Sequence, residues 1–94
     1  MMQDFDVIWD MDDEPKGNAR HIAEHGITAE DVEDVLYGRG LAVDERSDAS
    51  GLPMTFGYTA SGLFIAVVWC EACDDPRLIY PVTAFEVDPR ARRS

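Results

Sequence analysis

Residues 63–69 are apolar without interruption and form the longest such run in the chain. A short apolar run bounded by turn residues is typical of a buried strand, whereas a membrane span needs about 18 apolar residues. Alternate residues of a strand point to opposite faces, so the run predicts the central strand of a sheet with helices on one face. Unless a loop or the C-terminal segment covers the other face, we expect a homodimer or a docked partner there.

Alternating patterns and β-rich composition predict four further strands. They cover residues 5–9, 41–44 at a sheet edge, 54–59 and 77–87, and the central strand extends from residue 63 to residue 70. The segment 45–53 is rich in Ser, Asp and Gly and predicts a loop. Short connections join the last three strands, which predicts an antiparallel meander.

The segment after the first strand has apolar residues at helical spacing and predicts a first helix over residues 15–25. Asp12 or Asp13 is positioned to accept hydrogen bonds from the free N–H groups of its first turn. Gly26 follows as the left-handed residue after its end. Together these signals predict a helix of about three turns.

A second helix is predicted over residues 29–37. Thr28 and Asp31 resemble a capping box at its start, and Gly38 is positioned to end it. The pattern predicts a single α+β domain of 94 residues, in which an N-terminal strand and a two-helix hairpin pack on an antiparallel meander. The expected core includes residues of both helices and of the central strand: Ile22, Val32, Val35, Leu36, Val67 and Trp69.

Acidic residues outnumber basic ones, since 19 Asp and Glu against 8 Lys and Arg give a net charge of −11. Residues 1–48 hold 14 acidic and 4 basic residues, so nearly all the excess charge lies there. This balance argues against general nucleic-acid binding and favours a basic protein partner. The start of the chain lacks the basic residues and apolar run of a secretory signal, so we expect a cytoplasmic protein that does not enter a membrane.

Short motifs spread over residues 5–87 carry a resemblance to a known family: Trp9-Asp10, His25-Gly26-Ile27-Thr28, Gly57-Tyr58-Thr59 and Val82-Thr83-Ala84. In this order they resemble the BrnT-like branch of the RelE-like toxins of bacterial toxin–antitoxin modules. The resemblance implies a RelE-like fold, a small ribonuclease activity on RNA and a cognate antitoxin as partner. Leu52 and Phe85 depart from it, because the toxins carry arginine at these positions.

RNA cleavage needs a base for the 2′-hydroxyl proton, an acid for the leaving oxygen and a cation for the phosphate. His25 can serve as acid or base, Glu86 can accept a proton and Arg77 can bind phosphate. The residues expected to hold RNA are a cation, two stacking rings and a hydroxyl from the last motif: Arg46, Tyr58, Tyr80 and Thr83. The acidic net charge and the two departures predict weak or absent activity.

The alternative is a non-catalytic protein-interaction domain on the same fold. In that case Tyr58 and Tyr80 only pack on their strands, and Arg77 pairs with Asp74 or Asp75. The acidic residues around the second helix are then either a solvated surface or a docking face for a basic segment: Glu24, Glu30, Asp31, Glu33 and Asp34.

Two patterns have the spacing of metal ligands. His21, Glu24 and His25 match the H-x-x-E-H pattern of inverzincin metalloproteases, and Cys70 with Cys73 forms a C-x2-C pair. Gly26 ends the helix directly after the second histidine, and no later long helix supplies a third ligand. The cysteines precede a predicted hairpin turn, unlike redox-active pairs at a helix start. We therefore expect reduced thiols and no cofactor or metal, with a Cys2His2 zinc site as the alternative that distance decides.

Overall fold

The apolar run lies in the central strand of a five-stranded sheet, as predicted. The computed structural model describes residues 5–11 and 13–92. Its elements are β1 (Asp6–Val7), α1 (Asn18–Ala23), α2 (Ala29–Arg39), β2 (Glu45–Arg46), β3 (Pro53–Tyr58), β4 (Phe64–Asp74), β5 (Arg77–Glu86) and a 3₁₀ turn at Pro89–Arg92. The strands lie in the order β1-β5-β4-β3-β2.

The sheet is mixed, although the predicted meander is present. β3, β4 and β5 pair antiparallel in sequence order, and β2 pairs antiparallel with β3. β1 is parallel to β5, with Asp6 opposite Leu78 and Val7 opposite Ile79. A parallel neighbour needs a long connection, and both helices and the whole meander separate these two strands in the sequence. The α+β class is therefore confirmed, with one parallel strand added to the antiparallel meander.

The core lies between the helices and one face of β4. Ile65, Val67 and Trp69 project to this face and form one cluster with buried residues of both helices. The six core residues predicted from the sequence are all buried. Burying one large aliphatic side chain contributes about 1.5–3 kcal/mol, so this cluster is a main source of stability.

α2 follows its local sequence signals closely at its start. The Thr28 side chain accepts a hydrogen bond from the Asp31 N–H, and the Asp31 carboxylate accepts one from the Thr28 N–H, both at 3.1 Å. The helix passes through Gly38 and ends at Gly40, two residues beyond the predicted stop. Gly40 has a φ of +63°, which glycine adopts without strain, and its N–H bonds to the Leu36 carbonyl.

The structure shortens the first helix to six residues, so the prediction of a helix over residues 15–25 was wrong. Its N-cap is Gly17, which makes no side-chain cap; Asp13 lies in a turn before it, and Asp12 lies outside the described residues. The cause is tertiary, because Asp10 bonds the backbone N–H of Asn18 and fixes where the helix begins. A Cβ on Gly17 would lie 2.7 Å from the Asp10 Cβ, so this close approach requires glycine.

The edge strand also differs from the prediction, because β2 covers Glu45–Arg46 rather than residues 41–44. Side chains cover the backbone of β3 beyond this short strand. The Phe56 N–H donates to Asp44 Oδ2 at 2.9 Å, and Arg39 Nη1 donates to the Phe56 carbonyl at 2.8 Å. Arg39 and Asp44 also pair with each other at 3.0 Å. Two residues of the predicted loop over 45–53 thus form the edge strand. Beyond them, the Arg39–Asp44 ion pair makes the hydrogen bonds to the β3 backbone that an edge strand would make.

Cys70 lies in β4 as predicted, and Cys73 also lies in β4, which extends four residues beyond the predicted strand end at residue 70. β4 continues to Asp74, and only Asp75 and Pro76, joined by a cis peptide bond, separate it from β5. The long hairpin has register shifts between Val68 and Trp69 and between Glu71 and Cys73. These irregularities are invisible in the alternation of the sequence, because a bulge changes the face of every later side chain.

The face of the sheet opposite the helices is partly covered by its own side chains. Ala66 lies opposite Phe56 on one side and Phe85 on the other, and it is fully buried. Val68 is also buried, so the strip expected to be exposed along β4 is largely closed. The small side chain of Ala66 leaves room for its two aromatic neighbours. Tyr58, at 61% exposure, is the large apolar side chain that this face presents most openly.

Candidate functional site

One buried asparagine joins the end of β1, the start of α1 and the middle of β5. Asn18 Nδ2 donates to the carbonyls of Ile8 at 3.1 Å and of Pro81 at 3.0 Å. Its Oδ1 accepts from the Asp10 N–H, and its own N–H donates to Asp10 Oδ2, both at 2.9 Å. Since Asn18 is only 2% exposed, these bonds replace solvent entirely. They hold α1 at a fixed distance from the edge of β5.

Asp10 and Tyr80 complete this junction. The Tyr80 hydroxyl donates to Asp10 Oδ2 at 2.5 Å. This bond and the Asn18 N–H lower the pKa of the Asp10 carboxyl, because both stabilise its charged form. The bond to Asp10, with desolvation, raises the pKa of Tyr80 to about 12. Tyr80 is therefore a protonated donor at neutral pH and does not act as a base.

A cleft of about 450 Å³ opens beside this junction, between α1 and the edge of β5. Its lining combines a cation, an imidazole and a carboxylate with the polar junction: Lys16, Asn18, His21, Glu24, Tyr80 and Val82. His21 Nε2 and Thr83 Oγ1 share a hydrogen bond at 3.1 Å, which fixes the imidazole at the cleft. The His25 ring lies edge-on to the His21 ring, with centroids 5.2 Å apart. The cleft is therefore lined by an oriented imidazole and an ammonium group, and a second imidazole lies beside the first.

The arrangement can carry out proton transfer and bind an anion. Imidazole is the side chain that most readily donates and accepts protons near neutral pH. Lys16 supplies a positive charge on a flexible stem. Glu24 lies on the same lining and competes for that charge, which limits the affinity of the cleft for anions.

Three of the residues predicted for RNA chemistry lie at this cleft or beside its histidine. Tyr80 lines it, Thr83 holds its histidine, and His25 contacts that histidine. Four others lie elsewhere: Arg77 at the β4–β5 hairpin, Glu86 at the far end of β5, Arg46 on β2 and Tyr58 on β3. Arg77 pairs with Glu71, not with Asp74 or Asp75. The predicted set His25, Arg77 and Glu86 therefore does not converge.

Sequence reasoning did not place His21 and Lys16 together at one cleft. His21 was considered only as a metal ligand, because H-x-x-E-H drew attention to zinc chemistry. The usable signal was the presence of a second histidine, His25, only four residues further along the chain. Nothing in the sequence links Lys16 to β5, because that proximity arises from the long-range bonds of Asn18.

The helix needed for the metalloprotease pattern ends too early. α1 stops at Ala23, so His25 lies beyond it and the two histidines are not one turn apart on a helix. Within residues 5–11 and 13–92, no group of three or more His, Cys, Asp or Glu side chains is arranged to hold a metal ion. The alternative of a Cys2His2 zinc site therefore has no support in the geometry.

The acidic side chains of α2 are largely used inside the molecule. Asp31 belongs to the capping box. Glu33 Oε2 accepts from Trp9 Nε1 at 2.8 Å, and Asp34 Oδ2 accepts from the Ala60 N–H at 3.1 Å. These bonds join the helix to the end of β1 and to the β3–β4 turn. Three of the five residues of the expected acidic face thus have structural partners.

Comparison of the chain with protein-family models, with curated proteins and with solved structures finds no significant match. Among the residues that the structure describes, no helix is both long enough and apolar enough to cross a membrane.

Proposed function

We propose that the chain is a diverged toxin-type protein of the RelE-like, BrnT-like kind, and that its cleft between α1 and β5 cleaves RNA slowly. The observation that carries this proposal is that His21 and Lys16 line one cleft of an otherwise acidic molecule, with the His25 ring edge-on to the His21 ring. The strand, helix pair and meander occur in the order that the resemblance implies. The fold alone assigns no activity, so the argument rests on the site.

Each of three side chains has one role in the proposed cleavage: His21, His25 and Lys16. Neutral His21 takes the proton of the RNA 2′-hydroxyl, and the resulting oxyanion attacks the adjacent phosphorus. Protonated His25 gives its proton to the departing 5′-oxygen, while Lys16 balances the charge that develops on the phosphate. The products are a 2′,3′-cyclic phosphate and a free 5′-hydroxyl. Thr83 and Tyr80 position the ring and the cleft wall without entering the reaction.

The activity is expected to be low because the whole molecule repels its substrate. A net charge of −11 opposes the approach of a polyanion. Phe85, which stands where the related toxins carry arginine, is half-buried beside Ala66 and offers no charge. Glu24 further reduces the attraction within the cleft itself. The cognate antitoxin remains the proposed partner, in the cytoplasm, and co-purification with a basic protein encoded beside this gene tests that part.

Cleavage of a short end-labelled RNA by the purified protein tests the activity. We expect slow formation of the cyclic phosphate, and none from the matching strand that carries 2′-deoxyribose at the cleavage position. His21→Ala should reduce the rate by about 100-fold or more, the usual contribution of general acid–base catalysis. Arg77→Ala, which alters a cation that does not line the cleft and pairs with Glu71, serves as the matched control and should leave the rate unchanged. Equal rates for the wild type and His21→Ala would reject the cleft as the site.

A non-catalytic interaction domain is the second candidate, and the exposed ring of Tyr58 favours it. Tyr58 is mostly exposed and packs against Phe64, with ring centroids 4.8 Å apart. Aromatic rings exposed beside an apolar surface are enriched in protein interfaces. If no RNA is cleaved at any enzyme concentration while a protein partner protects the sheet face that carries Tyr58, the second candidate replaces the first.

A further inference from the structure

Glu24 brings to the cleft a carboxylate that has no task in holding the fold together. In the part of the chain that the structure describes, its side chain makes no hydrogen bond and no ion pair. By contrast, the carboxylates of Asp10, Asp31 and Glu33 each accept a hydrogen bond within the fold. The carboxylate of Glu24 is therefore available to a ligand of the cleft that it lines.

The end of α1 places this carboxylate next to the imidazole of His21. α1 ends at Ala23, but Glu24 keeps a right-handed helical conformation, with a φ of −64° and a ψ of −22°. Residues three apart on a helical path are neighbours, with Cβ atoms about 5–6 Å apart. Both side chains line the cleft. A ligand held by Glu24 therefore lies beside the ring that takes the 2′-hydroxyl proton in the proposed reaction.

The cleft suits a flat ring that has hydrogen-bond donors on its edge. Its volume of about 450 Å³ lies within the range of small-molecule sites. Pro15, Val82 and the ring of Tyr80 supply surface on which a nucleobase can stack. A carboxylate only accepts hydrogen bonds, and its two oxygens match an edge that presents two adjacent N–H groups.

Guanine is the standard RNA base whose pairing edge has this pattern, with N1–H next to the exocyclic N2 amino group. Adenine and cytosine present one amino group beside a ring nitrogen that repels a carboxylate, and uracil presents one N–H between two carbonyl oxygens. We propose that the cleft is a guanine subsite, in which Glu24 accepts hydrogen bonds from N1–H and N2–H of the base. The assignment of that base to the cleaved nucleotide rests on the proposed function, whereas the binding of guanine does not.

The negative charge of Glu24 makes the cleft selective as well as weakly binding. For a nucleotide with another base, Glu24 only repels the phosphate that Lys16 attracts. Guanine offsets this repulsion with two hydrogen bonds to a charged group, which are stronger than bonds between neutral groups. The cleft therefore disfavours every nucleotide to some extent and disfavours guanine nucleotides least.

Titration of the isotope-labelled protein with 3′-nucleoside monophosphates, followed by NMR, measures binding without any cleavage. 3′-GMP should bind about 10-fold more tightly than 3′-AMP, 3′-CMP and 3′-UMP, a difference typical of one bidentate contact to a base. 3′-IMP, which lacks the N2 amino group, should bind with intermediate affinity. Equal dissociation constants for the four standard nucleotides, or no binding of any of them, would overturn the proposal.

Glu24→Gln separates the hydrogen bonds from the charge. Glutamine offers one acceptor and one donor, so the bidentate contact is lost, while removal of the charge favours every phosphate. The variant should bind the four nucleotides about equally and should bind 3′-UMP more tightly than the wild type does. Glu30→Gln is the matched control, because it removes the same charge from the first turn of α2, which does not line the cleft, and should keep the preference. A preference for 3′-GMP that survives Glu24→Gln would show that another group recognises the base.

The position of the phosphate distinguishes an RNA subsite from a site for free guanine nucleotides. 3′-GMP should bind more tightly than 5′-GMP, because Lys16 binds the phosphate next to the attacked 2′-hydroxyl in the proposed reaction. Tighter binding of 5′-GMP would overturn the assignment to RNA. If the protein binds 3′-GMP but cleaves no RNA, the proposed function fails and the guanine subsite stands. Equal cleavage after all four bases would have the opposite meaning.

Discussion

Replacing Asn18 by aspartate exchanges the side-chain NH2 group for an oxygen, so a hydrogen-bond donor becomes an acceptor. The side-chain Nδ2 donates to the carbonyls of Ile8 and Pro81, whereas a carboxylate oxygen in its place would face those two acceptors with a negative charge. The bond from the Asp10 N–H to the other oxygen survives. The substitution therefore tests the donor function alone, with the shape of the side chain almost unchanged.

The expected cost follows from the bonds lost. Two donated hydrogen bonds to buried acceptors contribute about 1 kcal/mol each, and leaving the acceptors unpaired adds a comparable penalty. A buried charge without a partner raises the total for Asn18→Asp to about 3–5 kcal/mol at neutral pH. Asn18→Ala, which leaves the acceptors unpaired without a charge, should cost about 2–3 kcal/mol. Both are large fractions of a typical total stability of about 5–15 kcal/mol.

The dependence of the stability of Asn18→Asp on pH provides a second test of the donor role of Asn18. The two carbonyls and the Asp10 carboxylate disfavour the charged form of the introduced carboxyl, so its pKa in the folded state is raised. Protonation therefore favours the folded variant, and Asn18→Asp should regain stability relative to Asn18→Ala as the pH falls toward about 4. Urea unfolding followed by tryptophan fluorescence at several pH values measures both differences. If Asn18→Asp is the more stable variant at neutral pH, or if the difference is independent of pH, the assigned donor role is refuted.

Three further measurements address other parts of the molecule. Thr55→Val removes the acceptor of the 2.9 Å bond from Trp69 Nε1 and the donor of a 2.6 Å bond to a backbone carbonyl, and should cost about 2–4 kcal/mol in urea unfolding. Thr55→Ser keeps both bonds and should cost about 1 kcal/mol; the reverse order would contradict this account. In an absorbance titration, a step at pH about 12 should vanish in Tyr80→Phe. The stability that this tyrosine gains from Asp10 is complete below pH about 10 and is lost as the pH rises toward 12, so an unaltered alkaline limb in the variant would argue against the bond. Light scattering should show dimers of the wild type and monomers of Phe64→Ser if the sheet face that carries Tyr58 binds a second copy, and a monomeric wild type at all concentrations would exclude that interface.

The two helices show which parts of this fold are readable from the sequence. α2 begins where Thr28 and Asp31 indicate, because a capping box is a contact between residues three apart. α1 begins later than its amphipathic pattern indicates, because Asn18 is bonded to Asp10 and to β5. Local sequence signals therefore predicted the start of α2 correctly, because that start depends on contacts between residues close in the sequence. They failed where a long-range bond decides the boundary.

The same distinction applies to the candidate site. Tyr80 and Thr83 were placed correctly on one strand by the β-rich composition of residues 77–87, and the resemblance drew attention to His25. The position of His21 at the cleft depends on the packing of α1 beside β5, which no local pattern specifies. The face of Cys73 depends on a bulge, and a bulge leaves no distinct mark in a run of β-forming residues.

The ion pair along the outer edge of β3 has a consequence for the behaviour of the protein at high concentration. An exposed strand edge offers N–H and C=O groups to any passing chain, and this is a common route to ordered aggregates. Arg39 and Asp44 occupy both backbone groups of Phe56 and remain tied to each other. An incoming strand must displace both bonds to Phe56, each of which is made by a charged side chain, before it can add to this side of the sheet. The chain thus resists polymerisation at the edge where β2 is only two residues long.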